Sequence, residues 1–186
     1  MQLRNDGEGF GAITIWLHWM AAVCVLAMLF TAAGAMLAPN EGAGTSWMLL
    51  HGAIGALVWL VIAVRIIWHF LERRPVLVTD RPRLNRAAGT VHLLLLLLIA
   101  LQLLTGPIDV WTGGWAIRVF DWFAIPSPLG GALGAWHDRI GDLHRYTGYA
   151  IALVLAVHVA GALKHALVDR DQTLPRMLGR THPSDN

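Results

Sequence analysis

The sequence predicts an all-α membrane protein, a four-transmembrane-helix bundle forming one domain over residues 1–186. Three observations carry this reading. The chain is 56% hydrophobic and only 14% charged, with a mean hydropathy of +0.55, outside the balance of a soluble domain. Four apolar runs are each long enough to cross a bilayer. The charges gather in the connections between the runs.

The first predicted span covers about residues 11–37. Its length exceeds a signal-peptide core, and Arg4 is offset by Asp6 and Glu8 where a basic leader is needed, so a retained helix is expected. The second span covers about 47–70, the third about 87–108 and the fourth about 141–168. Between the second and third lies FLERRPVLVTDRPRLNR, with Arg73, Arg74, Arg81, Arg83 and Arg86; Arg170, Arg176 and Arg180 follow the fourth. The connection APNEGAGTS has no Lys or Arg, and the long third connection sets Arg118 and Arg139 against Asp109, Asp121 and Asp138. An excess of cations marks the cytoplasmic side, so both termini are expected inside. The third connection, rich in Trp111, Trp115 and Trp122, is expected to lie as an interfacial segment at the outer headgroups. Trp16, Trp19 and Trp68 then belong to the inner aromatic belt, Trp47 and Trp136 to the outer.

This topology assigns a depth to each histidine. His18 and His158 fall in the inner leaflet, His51 and His144 in the outer. His144 and His158 are fourteen residues apart, nearly four helical turns, so they share one face of the fourth helix about 21 Å apart. An imidazole among aliphatic chains is costly without a partner for its ring nitrogens. Two pairs at matched depths suit two non-covalent b-type haems, each iron held by one imidazole from either side. The lone Cys24 excludes covalent C-x-x-C-H attachment and an internal disulfide. A zinc site wants four ligands at one depth, and a cation pathway wants buried carboxylates, which the apolar spans lack.

Small residues four positions after each candidate ligand, Ala22, Gly55, Gly148 and Ala162, leave room for a flat ring. His137, followed by Gly141, competes with His144 on this criterion, whereas His92 meets Leu96. Arg65 lies fourteen residues after His51, level with the inner pair, and suits a propionate partner or a snorkelling cation.

In this order, ITIWLHW, LLHGAIG followed by VIAVRI, TVHLLLL, LHRYTGYAIALVLAVH and VHVAGALKHALVDRDQTLPRML resemble the bacterial diheme cytochrome b561 family over nearly the whole chain. The resemblance implies axial ligation of an inner haem by His18 and His158 and of an outer haem by His51 and His144. It implies electron relay across the inner membrane with exchange at the quinone pool, ubiquinone or another quinone; one member of the family oxidises periplasmic superoxide. The donor stays open between superoxide and a redox partner protein, and an anchor subunit for a dehydrogenase or hydrogenase is the competing role. His92 and His165 are candidate contacts for a propionate or quinone. Membrane lipid surrounds the chain, and no nucleic-acid partner is expected.

Overall fold

The computed structural model describes residues 2–6, 9–72, 82–129 and 131–179. Four long helices form, α1 (Ala12–Met36), α2 (Glu41–Leu71), α3 (Pro82–Thr112) and α4 (His137–Lys164), each containing a window apolar enough to span a membrane. A short α5 (Thr173–Met177) follows. α2 and α3 outrun their predicted spans at both ends, and α4 starts four residues before its own, because hydropathy registers only the apolar centres; α1 agrees with its predicted span to within one residue at each end. Asn40 starts α2 before the apolar run, its side-chain oxygen accepting from the Ala43 amide at 2.9 Å, and Glu41 complements the helix dipole. Pro82 sits in the first position of α3, where a missing N–H costs nothing. At its far end α4 loosens into a π-helical turn, His165–Asp169, closed by Arg170 in the left-handed region at φ 53°.

One expectation needs correction. The predicted apolar spans are not free of carboxylates: Asp142 falls inside the fourth, where it pairs with Arg145, and Asp109, one residue past the third, lies in the last turn of α3 within 3.3 Å of His137. Of the arginines expected on the cytoplasmic side, Arg73, Arg74, Arg81 and Arg180 lie outside the described residues.

The bundle is two hairpins. α1 packs closely along α2, and α3 along α4, while contact between the hairpins is sparser. Gly34 makes the first pairing possible: a Cβ there would stand 2.5 Å from the Trp47 ring, so α1 and α2 approach at a glycine, as helices in lipid commonly do. Trp47 therefore packs between helices, edge-on to Phe30, as well as standing at its belt level. Between the hairpins, Pro107 leaves the Leu103 carbonyl without its intrahelical donor, and the Trp59 indole of α2 donates to that oxygen at 3.0 Å.

Both chain ends gather at the end where α2 stops. The Arg4 guanidinium and the Asn5 amide donate to Glu72 at 2.6 and 2.9 Å, and the Trp19 indole donates to the Met177 carbonyl at 2.9 Å. At the opposite end the tryptophan-rich connection is a two-stranded antiparallel hairpin, β1 (Ile117–Val119) with β2 (Phe123–Ile125). β1 turns Ile117 and Val119 inward against α2 and α3, whereas Trp115, Trp122 and Phe123 stay exposed. The segment expected at the interface thus has a folded inner side that its tryptophans did not foretell.

Candidate haem sites in the bundle seam

Every buried polar residue among the described ones is a threonine: Thr14, Thr31, Thr105, Thr112 and Thr147. Thr31, Thr105 and Thr112 donate their hydroxyl protons to carbonyls one turn back on their own helices, whereas Thr147, also near the Leu143 carbonyl, turns its proton to Gln102. Their oxygens remain free to accept, and three of them meet histidines.

At the hairpin end, His51 of α2 and His144 of α4 face each other with ring centroids 6.3 Å apart. His51 Nδ1 lies 2.9 Å from Thr31 Oγ1, and His144 Nδ1 lies 3.0 Å from Thr105 Oγ1. The Gln102 amide nitrogen is 3.0 Å from His144 Nε2, and Thr147 donates to Gln102 Oε1 at 2.5 Å. The His144 ring rests on Gly106, where a Cβ would come within 3.1 Å. A Cβ at Gly55 would meet Met28 Cε at 3.2 Å, and one at Gly148 would meet Gln102 at 3.5 Å. The two glycines therefore face long, unbranched side chains that can change rotamer.

Toward the terminal end, His18 of α1 and His158 of α4 also stand with centroids 6.3 Å apart, and His92 of α3 joins them 5.2 Å from His158. Arg65 is close enough to His18 for their charges to interact, and it has no ion pair among the described residues. A half-buried guanidinium without an anion is the feature a propionate would complete.

These observations test the fit of haem. A metal held end-on between two imidazoles, with bonds of about 2 Å to each ring nitrogen, sets the centroids roughly 6 Å apart. Both pairs meet that spacing, and both bridge the loosely joined hairpins rather than one tightly packed pair.

The remaining histidines separate from the pairs. His137, at the start of α4, has Nδ1 within 3.3 Å of Thr112 Oγ1, 3.1 Å of the Asp109 carbonyl and 3.3 Å of Asp109 Oδ1, and its ring meets Trp115 at 5.5 Å. It belongs to an α3–α4 joint two turns beyond His144. His165 has Nδ1 2.6 Å from Asp171 and 3.4 Å from Asp169, and Asp169 also accepts from Lys164 at 2.5 Å. Asp171 is held below the usual carboxylate range; burial works against this, but hydrogen bonds from Thr173 and His165 prevail. Sequence reasoning missed Thr31, Gln102, Thr105 and Thr147. The readable signal was Gln102 and Thr105 three apart in an otherwise leucine-rich helix, hence on one face.

A membrane-spanning four-helix bundle with facing histidine pairs in its seam, one toward each end, defines a membrane cytochrome of the b type. The family model described as prokaryotic cytochrome b561 matches residues 9–180, and the chain belongs to that family. Cytochrome b561 homolog 2 of Escherichia coli (strain K12) is 32% identical over 183 residues, 97% of each chain. Cytochrome b561 homolog 1 of the same organism is 28% identical over 178 residues, covering 92% of this chain and 97% of that relative. The protein is accordingly a multi-pass bacterial membrane cytochrome that binds haem b and takes part in electron transfer.

Proposed function

We propose that the protein relays electrons across the bacterial inner membrane between a donor at the hairpin end and the quinone pool, through two haems stacked in the seam. His51 and His144 hold the outer one; His18 and His158 hold the inner one. The observation that carries this reading is the pair of matched 6.3 Å ring separations at the two ends of the bundle. Haem, when bound, would supply one-electron chemistry, with one imidazole from each of two helices to hold it. The chain's part is to hold the ring planes, exclude water and place charge. Arg65 is assigned to an inner propionate, with His92 beside His158. His165, its Nδ1 engaged by Asp171, keeps Nε2 for a quinone oxygen or a propionate.

Superoxide is the small donor that suits a chain acting alone. The cations near the hairpin end each have a neighbour: Arg145 pairs with Asp142, Arg139 lies 5.2 Å over the Trp136 ring, and Arg118 stands near Asp121 at the hairpin tip. A second reading, docking of a periplasmic redox protein, is favoured by the exposed Trp115, Trp122 and Phe123 on one hairpin.

A pyridine haemochrome assay on the purified chain is expected to give two b haems, and His144→Ala to retain one of them. One haem in the parent protein, or two in the variant, overturns the ligand assignment. Quinone reduction by superoxide in the purified protein alone supports the first donor; failure with both haems present transfers the role to a partner protein.

A further inference from the structure

The two histidine pairs differ in what holds them. Thr31 Oγ1 lies 3.0 Å from both the Ala27 and Met28 carbonyls, and Thr105 Oγ1 lies 2.9 Å from the Leu101 carbonyl. A hydroxyl has one proton. With that proton on the helix carbonyl, the hydrogen bond to the histidine runs the other way: Nδ1–H donates and the threonine oxygen accepts. Each ring is thereby held in the Nδ1–H tautomer, with a lone pair on Nε2. The Gln102 amide, donating to His144 Nε2 at 3.0 Å, fits the same tautomer. That lone pair is the one iron needs, so the amide gives way on ligation. Neither His18 nor His158 has a hydrogen-bonded partner of this kind among the described residues.

We propose that Thr31 and Thr105 are positioning residues that fix the tautomer of the outer ligands and lower the potential of the outer site relative to the inner one. A hydrogen bond accepted from Nδ1–H makes the opposite nitrogen more basic, and a more basic ligand favours ferric over ferrous iron. Among the described residues the inner pair lacks that bond, so its site would sit at higher potential. With haem held at both sites, an electron leaving the His51/His144 site would run downhill to the His18/His158 site, one iron being oxidised as the other is reduced. No proton has to move, because each hydroxyl proton stays on its helix carbonyl.

The proposal rests on the ligand assignment above, and the experiment separates the two. Spectroscopic redox titration is carried out on the holoprotein, Thr31→Val, Thr105→Val, the double variant, and Thr31→Ser and Thr105→Ser. The haem that His144→Ala removes identifies the outer transition. Each valine is expected to change the ferric-to-ferrous binding ratio of that haem about tenfold, raising its midpoint by about 59 mV for a one-electron couple. The inner midpoint stays in place, and serine restores the outer one. Both haems present with unmoved potentials, or a shift confined to the inner haem, overturns the threonine role and leaves the ligands standing. A His144→Ala protein that keeps both haems overturns the ligands themselves. Should the valine variants lose haem, nitrogen-15 NMR of histidine-labelled ferrous protein decides: hydrogen-bonded Nδ1–H signals are expected for His51 and His144 and unbonded ones for His18 and His158. Four equivalent signals overturn the proposal.

Discussion

At the scale of single residues, the chain solves the same problem repeatedly: where to put a polar atom that lipid will not solvate. Threonine answers it inside the bundle: Thr31, Thr105 and Thr112 donate to their own helices, and Thr14 accepts from the Trp68 indole at 2.9 Å. Outside the bundle a carboxylate answers it. Glu72 receives the Asn5 amide and the Arg4 guanidinium, and its pKa falls below the ordinary 4.5, chiefly through the Asn5 amide, with burial opposing and Arg4 adding to the fall. A group with a depressed folded pKa contributes stability above its unfolded value and loses it as pH falls through the folded value. The N-terminal segment, whose Gln2 and Leu3 carbonyls accept from the Ala12 and Ile13 amides, should therefore stay docked at neutral pH and loosen under acid, below 4.5. Hydrogen exchange at Ala12 and Ile13 should show this pH dependence, and Glu72→Gln should abolish it.

Among the elements, α3 is the one whose sequence breaks a rule and whose neighbour repairs the break. Pro107 in a transmembrane helix strands the Leu103 carbonyl, and Trp59 of α2 reaches across to satisfy it. Trp59→Phe keeps most of the ring and removes the donor, so a loss of about 1–3 kcal/mol is expected in unfolding of the reconstituted protein. Pro107→Ala returns an intrahelical donor to Leu103, and on that background the same Trp59→Phe change should cost less than about half as much. Equal costs in both backgrounds would mean that the indole contributes packing alone. The four spans were legible because a run of some twenty apolar residues has one solution in a bilayer. Their ends were not, because Asn40, Pro82 and the π-helical turn after Lys164 act through backbone hydrogen bonds that hydropathy ignores. The β1–β2 hairpin was equally hidden, since its inward residues, Ile117 and Val119, are defined by contact with α2 and α3.

For the whole molecule, the orientation argument rests on the arginines that follow the second and fourth spans in the sequence. A fluorescent protein fused after residue 186 should glow, and alkaline phosphatase inserted in the β1–β2 turn should be active; the opposite pattern would place the termini outside. The sequence by itself determined the number of spans and the relative levels of His18, His51, Arg65, His144 and His158, because a 3.6-residue helix in a slab of fixed thickness converts position into depth. Only the tertiary structure decided which imidazoles face each other, that His92 joins His18 and His158 while His137 stands apart from His51 and His144, and that Thr31, Thr105 and Gln102 meet His51 and His144. Those relations lie across the seam between two hairpins, and the rotation of one helix against another is set by packing at sites such as Gly34 and Gly106, which no single helix records.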